Sequence, residues 1–141
     1  MRGAVLELER PASAVERAEP RLLHEFFEHQ AQGQPHRPAL EFGGDDSKSN
    51  PETLLVGALS SCHMLWFLAL ARKKGFEVAS YEDDAEAVLD GKHFTSATLR
   101  PRVRWADEPP PPEAIEGFHH RAHELCFIAN SVNFPVEVEP Q

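Results

Sequence analysis

The pattern of hydrophobic and polar positions is clearest in the middle of the chain. Residues 54–71 form one apolar run of 18 residues without Asp, Glu, Lys or Arg. Asn50 and Pro51 before the run, and basic residues and Gly75 after it, are start and stop signals of a helix. The pattern therefore predicts a central helix over 50–75, about 23 residues long and buried nearly all round.

The flanking regions alternate in the manner of strands. Apolar segments within residues 1–49 predict N-terminal strands and a loop. Two extended segments over 76–105 are joined at Asp90-Gly91, which predicts a β-hairpin. A proline-rich connector leads to a second helix over 112–131 and a terminal strand over 134–138. This order predicts a single α+β domain, with helices packed on antiparallel sheets. The long apolar helix exceeds what one such sheet covers, which predicts a homodimer.

Composition narrows the classes of function. The net charge is −9, which argues against binding of nucleic acid or anionic lipid and fits a soluble protein that acts on a small molecule. The apolar run has polar residues at its middle, which favours a core helix over a membrane span. The N-terminus lacks the pattern of a signal peptide, so we expect a cytoplasmic protein.

The chain has two cysteines, and each falls within a predicted helix. In a reducing compartment such thiols are catalytic, metal-binding or inert more often than they form a static disulfide. Cys62 lies at the middle of the central helix and Cys126 on the second helix. Ser60, Ser61 and His63 surround Cys62 in an otherwise apolar run, which predicts a cavity beside the thiol because buried polar groups are costly unless they are satisfied.

Two motifs resemble the OsmC/Ohr family of organic hydroperoxide reductases. The first is Asn50-Pro51-Glu52 with Cys62 ten residues after the glutamate, and the second is His123-Glu124-Leu125-Cys126 followed by Ala129-Asn130-Ser131-Val132. The runs SSCHMLWFLALA and CFIANSV are similar to one OsmC-like subgroup. The resemblance implies an OsmC-like fold, an intertwined homodimer with active sites at the interface, and thiol-dependent peroxidase activity without a cofactor.

The resemblance also implies a role for individual residues. Cys62 would attack the peroxide, Cys126 would resolve the product, and Glu52 would be the assisting glutamate. For the assisting arginine, Arg37 is the best-placed candidate, with Arg21 behind it. The chain departs from the family at two points: Phe127 follows the second cysteine where proline is common, and the segment before residue 50 is short and unusual.

The chemistry sets requirements of its own. Only a thiolate attacks peroxide oxygen, and an ordinary cysteine with a pKa of about 8.5 is mostly protonated at neutral pH. A straight helix places Glu52 about 15 Å from Cys62, so the glutamate of a site would come from the partner chain or the helix would be broken near its start. Alternatively, Glu52 only stabilises the helix dipole. The product, a sulfenic acid, would condense with Cys126, and an external dithiol would reduce the disulfide. Apolar residues beside the thiols predict a preference for organic hydroperoxides; they are Met64, Leu65, Trp66, Phe67, Phe127 and Ile128.

Two other functions stay open from the sequence. His119, His123 and Cys126 are spaced to face one ion, and Cys62 would complete a mixed thiolate–imidazole metal site. Alternatively, the protein is an OsmC-like dimer with inert thiols and no peroxidase activity.

Overall fold

The structure is a computed structural model that describes residues 51–141, and the predicted N-terminal strands lie outside them. Two helices and two small sheets make up this part, which confirms the expected α+β class. The helices are α1 (Pro51–Lys73) and α2 (Pro112–Leu125). The strands are β1 (Val78–Asp83), β2 (Glu86–Asp90), β3 (His93–Leu99), β4 (Pro101–Trp105) and β5 (Val136–Val138), and a 3₁₀ turn covers Ala129–Ser131.

Helix α1 ends in a Schellman motif. The N–H of Phe76 donates to the carbonyl of Ala71, and the N–H of Gly75 donates to the carbonyl of Arg72. Both N···O distances are 3.0 Å. Gly75 has a φ of +87°, a conformation that costs little only for glycine. The stop therefore rests on a local signal that the sequence carries.

The predicted hairpin over 76–105 is confirmed, since its two segments pair antiparallel from Val78 with Trp105 to Asp90 with His93, but each segment breaks into two strands. β1 pairs with β4 in one antiparallel sheet, whereas β2 and β3 belong to a second sheet. At the break, the N–H of Arg100 donates to Oδ1 of Asp83, at an N···O distance of 2.7 Å, and not to a carbonyl of the neighbouring strand. Pro101 follows and has no N–H for the ladder, so the strands change sheets at this point.

The β2–β3 turn follows the Asp-Gly signal. Asp90 pairs with His93, and Gly91 takes a φ of +62° at the first position of the two-residue turn. The expectation of purely antiparallel sheets is wrong for the last strand, because β5 pairs parallel to β3 in the order β2-β3-β5. The connection between them includes β4 and α2, which is long enough for a parallel crossover.

The predicted second helix over 112–131 is also too long. Helix α2 ends at Leu125, and Cys126 is its C-cap in an extended conformation, with φ −68° and ψ 108°. The side chain of Asn130 donates to the carbonyls of Glu124 (3.0 Å) and Cys126 (2.8 Å). These bonds satisfy carbonyls at the helix end, so the backbone can leave the helix without leaving those carbonyls unpaired.

Helix α1 crosses two hydrophobic clusters. Its second half packs with β1 and α2 around Met64, Phe67, Ala71, Tyr81, Phe118 and Ala122. Its first half contributes Leu59 to a smaller cluster with Ala85, Ala97 and Leu99 from the β2–β3 region. By length and composition α1 would also be able to cross a membrane; here it packs against α2 and β1. Its burial within residues 51–141 is less complete than predicted, since Leu54 is 56% exposed.

Candidate active site

Cys62 lies on α1 where the two clusters meet. Leu59, one turn before it, belongs to the smaller cluster, and Met64, two residues after it, belongs to the larger one. The Cys62 side chain is partly exposed, whereas Cys126 is buried, and both thiols are reduced. One sulfur is therefore within reach of a solute, and the other lies beneath the surface.

The two thiols share a hydrogen bond and have opposite acidities. The pKa of Cys62 lies below the ordinary value of a cysteine, chiefly because the Cys126 thiol donates to its sulfur, although partial burial opposes this. The pKa of Cys126 is raised, first by that same hydrogen bond and then by burial. The shared hydrogen bond therefore favours a thiolate at Cys62 over one at Cys126.

Backbone N–H groups complete the surroundings of both sulfurs. The N–H groups of Ile128 and Phe127 act on Cys62 and lower its pKa further. The N–H of Ala129 donates to Sγ of Cys126 over 3.4 Å. The donors come from consecutive residues directly after α2, so the end of this helix delivers both the second thiol and the polar groups around the pair.

An aromatic pair lies next to the thiols. Trp66, one turn after Cys62 on α1, packs edge-to-face with Phe127, with ring centroids 5.8 Å apart. Phe127 is 62% exposed, which is unusual for a large apolar side chain. Of the other residues predicted to form an apolar wall, Met64 and Phe67 are core residues, while Leu65 and Ile128 pack against the two clusters.

The polar neighbours of Cys62 have partners inside the fold, so they no longer serve as evidence for a cavity beside the thiol. Ser60 donates a hydrogen bond to Asp83, and Ser61 donates to the carbonyl of Ala58 over 3.2 Å. His63 stacks on His119, with 3.1 Å between Nε2 of the first and Nδ1 of the second. The Ser60 contact joins α1 to β1 and the His63 contact joins α1 to α2, whereas the Ser61 bond stays within α1; all three are structural contacts.

The alternative metal site does not form in the described part of the chain. Across residues 51–141, no group of three or more His, Cys, Asp and Glu side chains is arranged to hold a metal ion. His119 is turned to His63 and away from the set that the spacing had indicated. Burial lowers the pKa of His63 to about 3 and that of His119 to about 4, so both rings are neutral near pH 7.

The other predicted site residues are not brought to the thiols by the described elements. Glu52 lies half-buried in the first turn of α1, ten residues and about 15 Å along the helix from Cys62. Arg37 and Arg21 lie outside the described residues. Sequence reasoning missed Asn130 and the N–H donors after Cys126. An asparagine within the last turns of a predicted helix is a signal that would have pointed to an earlier helix end.

Comparison with known proteins places this thiol pair in a family. The family model described as OsmC-like protein matches residues 44–141. The chain belongs to the OsmC-like family. The search of curated proteins found no match.

Solved structures of the family share the fold. An OsmC-like protein of unknown function from Vibrio cholerae O1 is 41% identical, over 69% of this chain and 67% of that one, with a TM-score of 0.66. The organic hydroperoxide resistance protein OhrB of Bacillus subtilis is 20% identical over 75% of this chain and 78% of that one, with a TM-score of 0.56. An organic hydroperoxide resistance protein OsmC from Legionella pneumophila is 20% identical over 72% and 74%, with a TM-score of 0.53.

Proposed function

We propose that the protein is a thiol-dependent peroxidase that reduces organic hydroperoxides to alcohols. The observation that carries the proposal is the hydrogen-bonded pair of Cys62 and Cys126, in which the more exposed thiol is the more acidic. Such a pair supplies a nucleophile and a resolving thiol at one place. Membership of a family that includes organic hydroperoxide resistance proteins agrees with this chemistry.

The reaction proceeds in two steps at sulfur. The Cys62 thiolate attacks the terminal oxygen of R–OOH, an S–O bond forms, the O–O bond breaks, and the alkoxide leaves and takes a proton from solvent as ROH. The Cys126 thiol then loses its proton and attacks the sulfur of the Cys62 sulfenic acid. An S–S bond forms and the hydroxyl leaves as water. The hydrogen bond between the two thiols favours this closure over further oxidation.

The cycle closes with an external dithiol. This reductant attacks the Cys62–Cys126 disulfide through a mixed disulfide, returns two electrons and becomes a disulfide itself. The activity we propose is that of a cytoplasmic homodimer without a cofactor. In the same proposal an arginine from the N-terminal segment, Arg37 first, and Glu52 of one of the two chains assist at the thiol pair.

The aromatic pair supports an organic substrate. Trp66 and the exposed ring of Phe127 offer an apolar surface beside Cys62, which would cover the alkyl or aryl part of a hydroperoxide. Burial of apolar surface contributes about 0.8 kcal/mol per methylene, so a substrate with a tail gains affinity that hydrogen peroxide lacks.

The test is peroxide consumption with a dithiol reductant by the wild type and two matched variants. We expect Cys62→Ser to lose turnover because the nucleophile is gone. Cys126→Ser should consume one equivalent of peroxide and then stall or over-oxidise at Cys62, which the mass of the Cys62 peptide reports. Equal residual turnover in both variants would contradict the assigned roles, and a wild type that consumes no peroxide would contradict the activity.

A further inference from the structure

Helices α1 and α2, which carry the two thiols, touch through aromatic rings and through a pair of buried histidines. Phe67 of α1 lies against Phe118 and His119 of α2, with ring centroids 6.0 and 4.3 Å apart. Beside these rings, Nε2 of His63 lies 3.1 Å from Nδ1 of His119. His63 is 0% exposed and His119 is 4% exposed, so water does not compete for this hydrogen bond.

The histidine pair lies close to both cysteines along the chain. His63 directly follows Cys62 on α1, and His119 precedes Cys126, the C-cap of α2, by seven residues or about two helical turns. Residues seven apart fall on the same face of a helix. His119 and Cys126 are therefore on the side of α2 that meets α1, and the aromatic pair next to the thiols is a second contact between the same two segments.

The direction of the histidine hydrogen bond follows from the atom that lacks a partner. Nδ1 of His63 is buried and has no hydrogen-bond partner within residues 51–141. Buried N–H groups without an acceptor are rarer in proteins than acceptors without a donor, so Nδ1 is the unprotonated nitrogen of this neutral ring. His63 therefore donates through its Nε2–H, and His119 accepts at Nδ1.

A hydrogen bond of this kind fixes two helices more narrowly than aromatic rings do. Its strength falls steeply with distance and angle, and the ring planes of the pair differ by only 3°. Apolar contacts are non-directional and depend mainly on the area that they bury, so they tolerate a shift of one helix along the other. The bond between residues 63 and 119 is therefore suited to set the register of the two helices.

We propose that His63 and His119 are positioning residues, whose hydrogen bond sets the register of α2 on α1 and so holds the Cys126 sulfur where it closes a disulfide with Cys62. The place of this pair in a catalytic cycle rests on the proposed peroxidase activity. The closure itself does not, because oxidised glutathione also drives it. The two protein thiols then give up two electrons and two protons, and one glutathione disulfide becomes two glutathione thiols.

Four single variants separate the hydrogen bond from the rings that make it. His63→Leu and His119→Leu remove the bond. His63→Gln keeps an amide N–H donor, and His119→Asn keeps a carbonyl acceptor, each near the position of the ring nitrogen that it replaces. The double variant His63→Leu/His119→Leu loses the bond without leaving the nitrogen of either partner unpaired, so it provides the test if a single leucine variant does not fold.

The measurement is the equilibrium between the thiol pair and the disulfide of the full-length protein in glutathione buffers, read by mass after an acid quench and alkylation of the remaining thiols. It gives the effective concentration of one thiol at the other. We expect each variant without the bond to lower this concentration by roughly three- to tenfold, the scale of one hydrogen bond. His63→Gln and His119→Asn should stay within about twofold of the wild type. With a peroxide as oxidant, the variants without the bond should form more sulfinic acid at Cys62.

Ser60→Ala is the matched control for loss of stability alone. It also removes a buried hydrogen bond of α1, but one that joins α1 to Asp83 of β1 and not to α2. It should lower stability to urea and keep the wild-type effective concentration in the folded protein.

Three results would overturn the positioning role of the histidines. They are the wild-type effective concentration in a folded leucine variant, an equal loss in Ser60→Ala, and an equal loss in the two conservative variants. Absence of peroxide turnover in a protein whose disulfide equilibrium behaves as expected would instead count against the proposed function alone.

Discussion

Cys62 and Cys126 differ in exposure as well as in acidity, and both differences follow from where the backbone places them. Cys62 projects from the middle of α1 and keeps contact with solvent, while Cys126 is 1% exposed. In the proposed reaction, a peroxide would reach the first sulfur without passing the second. Because the buried thiol is the donor of the shared hydrogen bond and its pKa is raised, it would stay protonated in the proposed reaction until the sulfenic acid forms.

Substrate preference is expected to depend on the ring of Phe127. We expect Phe127→Ala to lower the ratio of kcat/KM for cumene hydroperoxide to that for hydrogen peroxide by roughly three- to tenfold, the scale of one aromatic contact. The ratio is measured under a single dithiol reductant. Val88→Ala is the control, since Val88 is 53% exposed on β2 and should leave the ratio unchanged. The same ratio in Phe127→Ala and the wild type would remove this ring from the substrate site.

The stacked histidines should make stability depend on pH. The folded pKa values of His63 (about 3) and His119 (about 4) lie below the ordinary 6.5, so the unfolded chain binds more protons. Stability is therefore complete above about pH 6.5 and falls as the pH drops towards 4, by up to about 2.7 kcal/mol per pH unit for two protons.

The measurement is urea unfolding of the wild type and of the double variant His63→Leu/His119→Leu at several pH values. Changing both rings together avoids leaving one buried nitrogen without its partner. We expect a shallower dependence on pH in the double variant, and the wild-type dependence in the control His120→Gln, since His120 is exposed. A wild-type slope in the double variant would contradict the assignment.

Among the elements, α1 and the two sheets are joined through one buried carboxylate. Asp83 is the last residue of β1. Its carboxylate accepts a hydrogen bond from the Ser60 hydroxyl on α1 and another from the N–H of Arg100, which lies between β3 and β4 where the chain changes sheets. Burial raises the pKa of Asp83, while Ser60 and Arg100 lower it. This residue fixes where both β-segments break, and so fixes α1 and its thiol against the sheets.

Two replacements of Asp83 should therefore separate the contribution of side-chain size from the contribution of its two hydrogen bonds. Asp83→Ala leaves a buried hydroxyl and a partly buried N–H without an acceptor, and we expect it to lower the free energy of unfolding by about 2–4 kcal/mol. Asp83→Asn keeps an oxygen for Arg100 and offers an amide to Ser60, so its cost should be much smaller. Urea unfolding measures both variants, and equal losses would show that the two bonds contribute little.

At the scale of the whole molecule, α1 carries more apolar surface than residues 51–141 cover. Leu54 is 56% exposed, and Trp66, Leu68 and Leu70 are only partly buried. A helix that is apolar on nearly every face requires cover on nearly every face. The N-terminal segment and a second copy of the chain are the available sources of this cover.

We accordingly expect a tight homodimer. Light scattering at micromolar concentration should give twice the chain mass of 15.8 kDa. The reason is the remaining apolar surface of α1, which dimerisation would remove from water. A monomer under these conditions would contradict this prediction and would also count against a site shared between two chains.

The sequence by itself determined the features that local signals encode. Pro51 and Gly75 bound α1, Asp90-Gly91 sets the turn between β2 and β3, and the positions of Cys62 and Cys126 mark the candidate thiols. Each of these depends on the conformational preference or the chemistry of the residue itself, which does not require a distant partner.

Tertiary structure decided what depends on residues far apart in the chain. Asp83 meets Ser60 and Arg100, and His63 meets His119 across 56 positions, so the polar residues around Cys62 became structural contacts instead of a cavity lining. Asn130 ended α2 earlier than its apolar pattern indicated. The acidity of Cys62 likewise comes from donors that only the fold brings to its sulfur, because hydrogen bonding depends on distance and direction and not on position in the sequence.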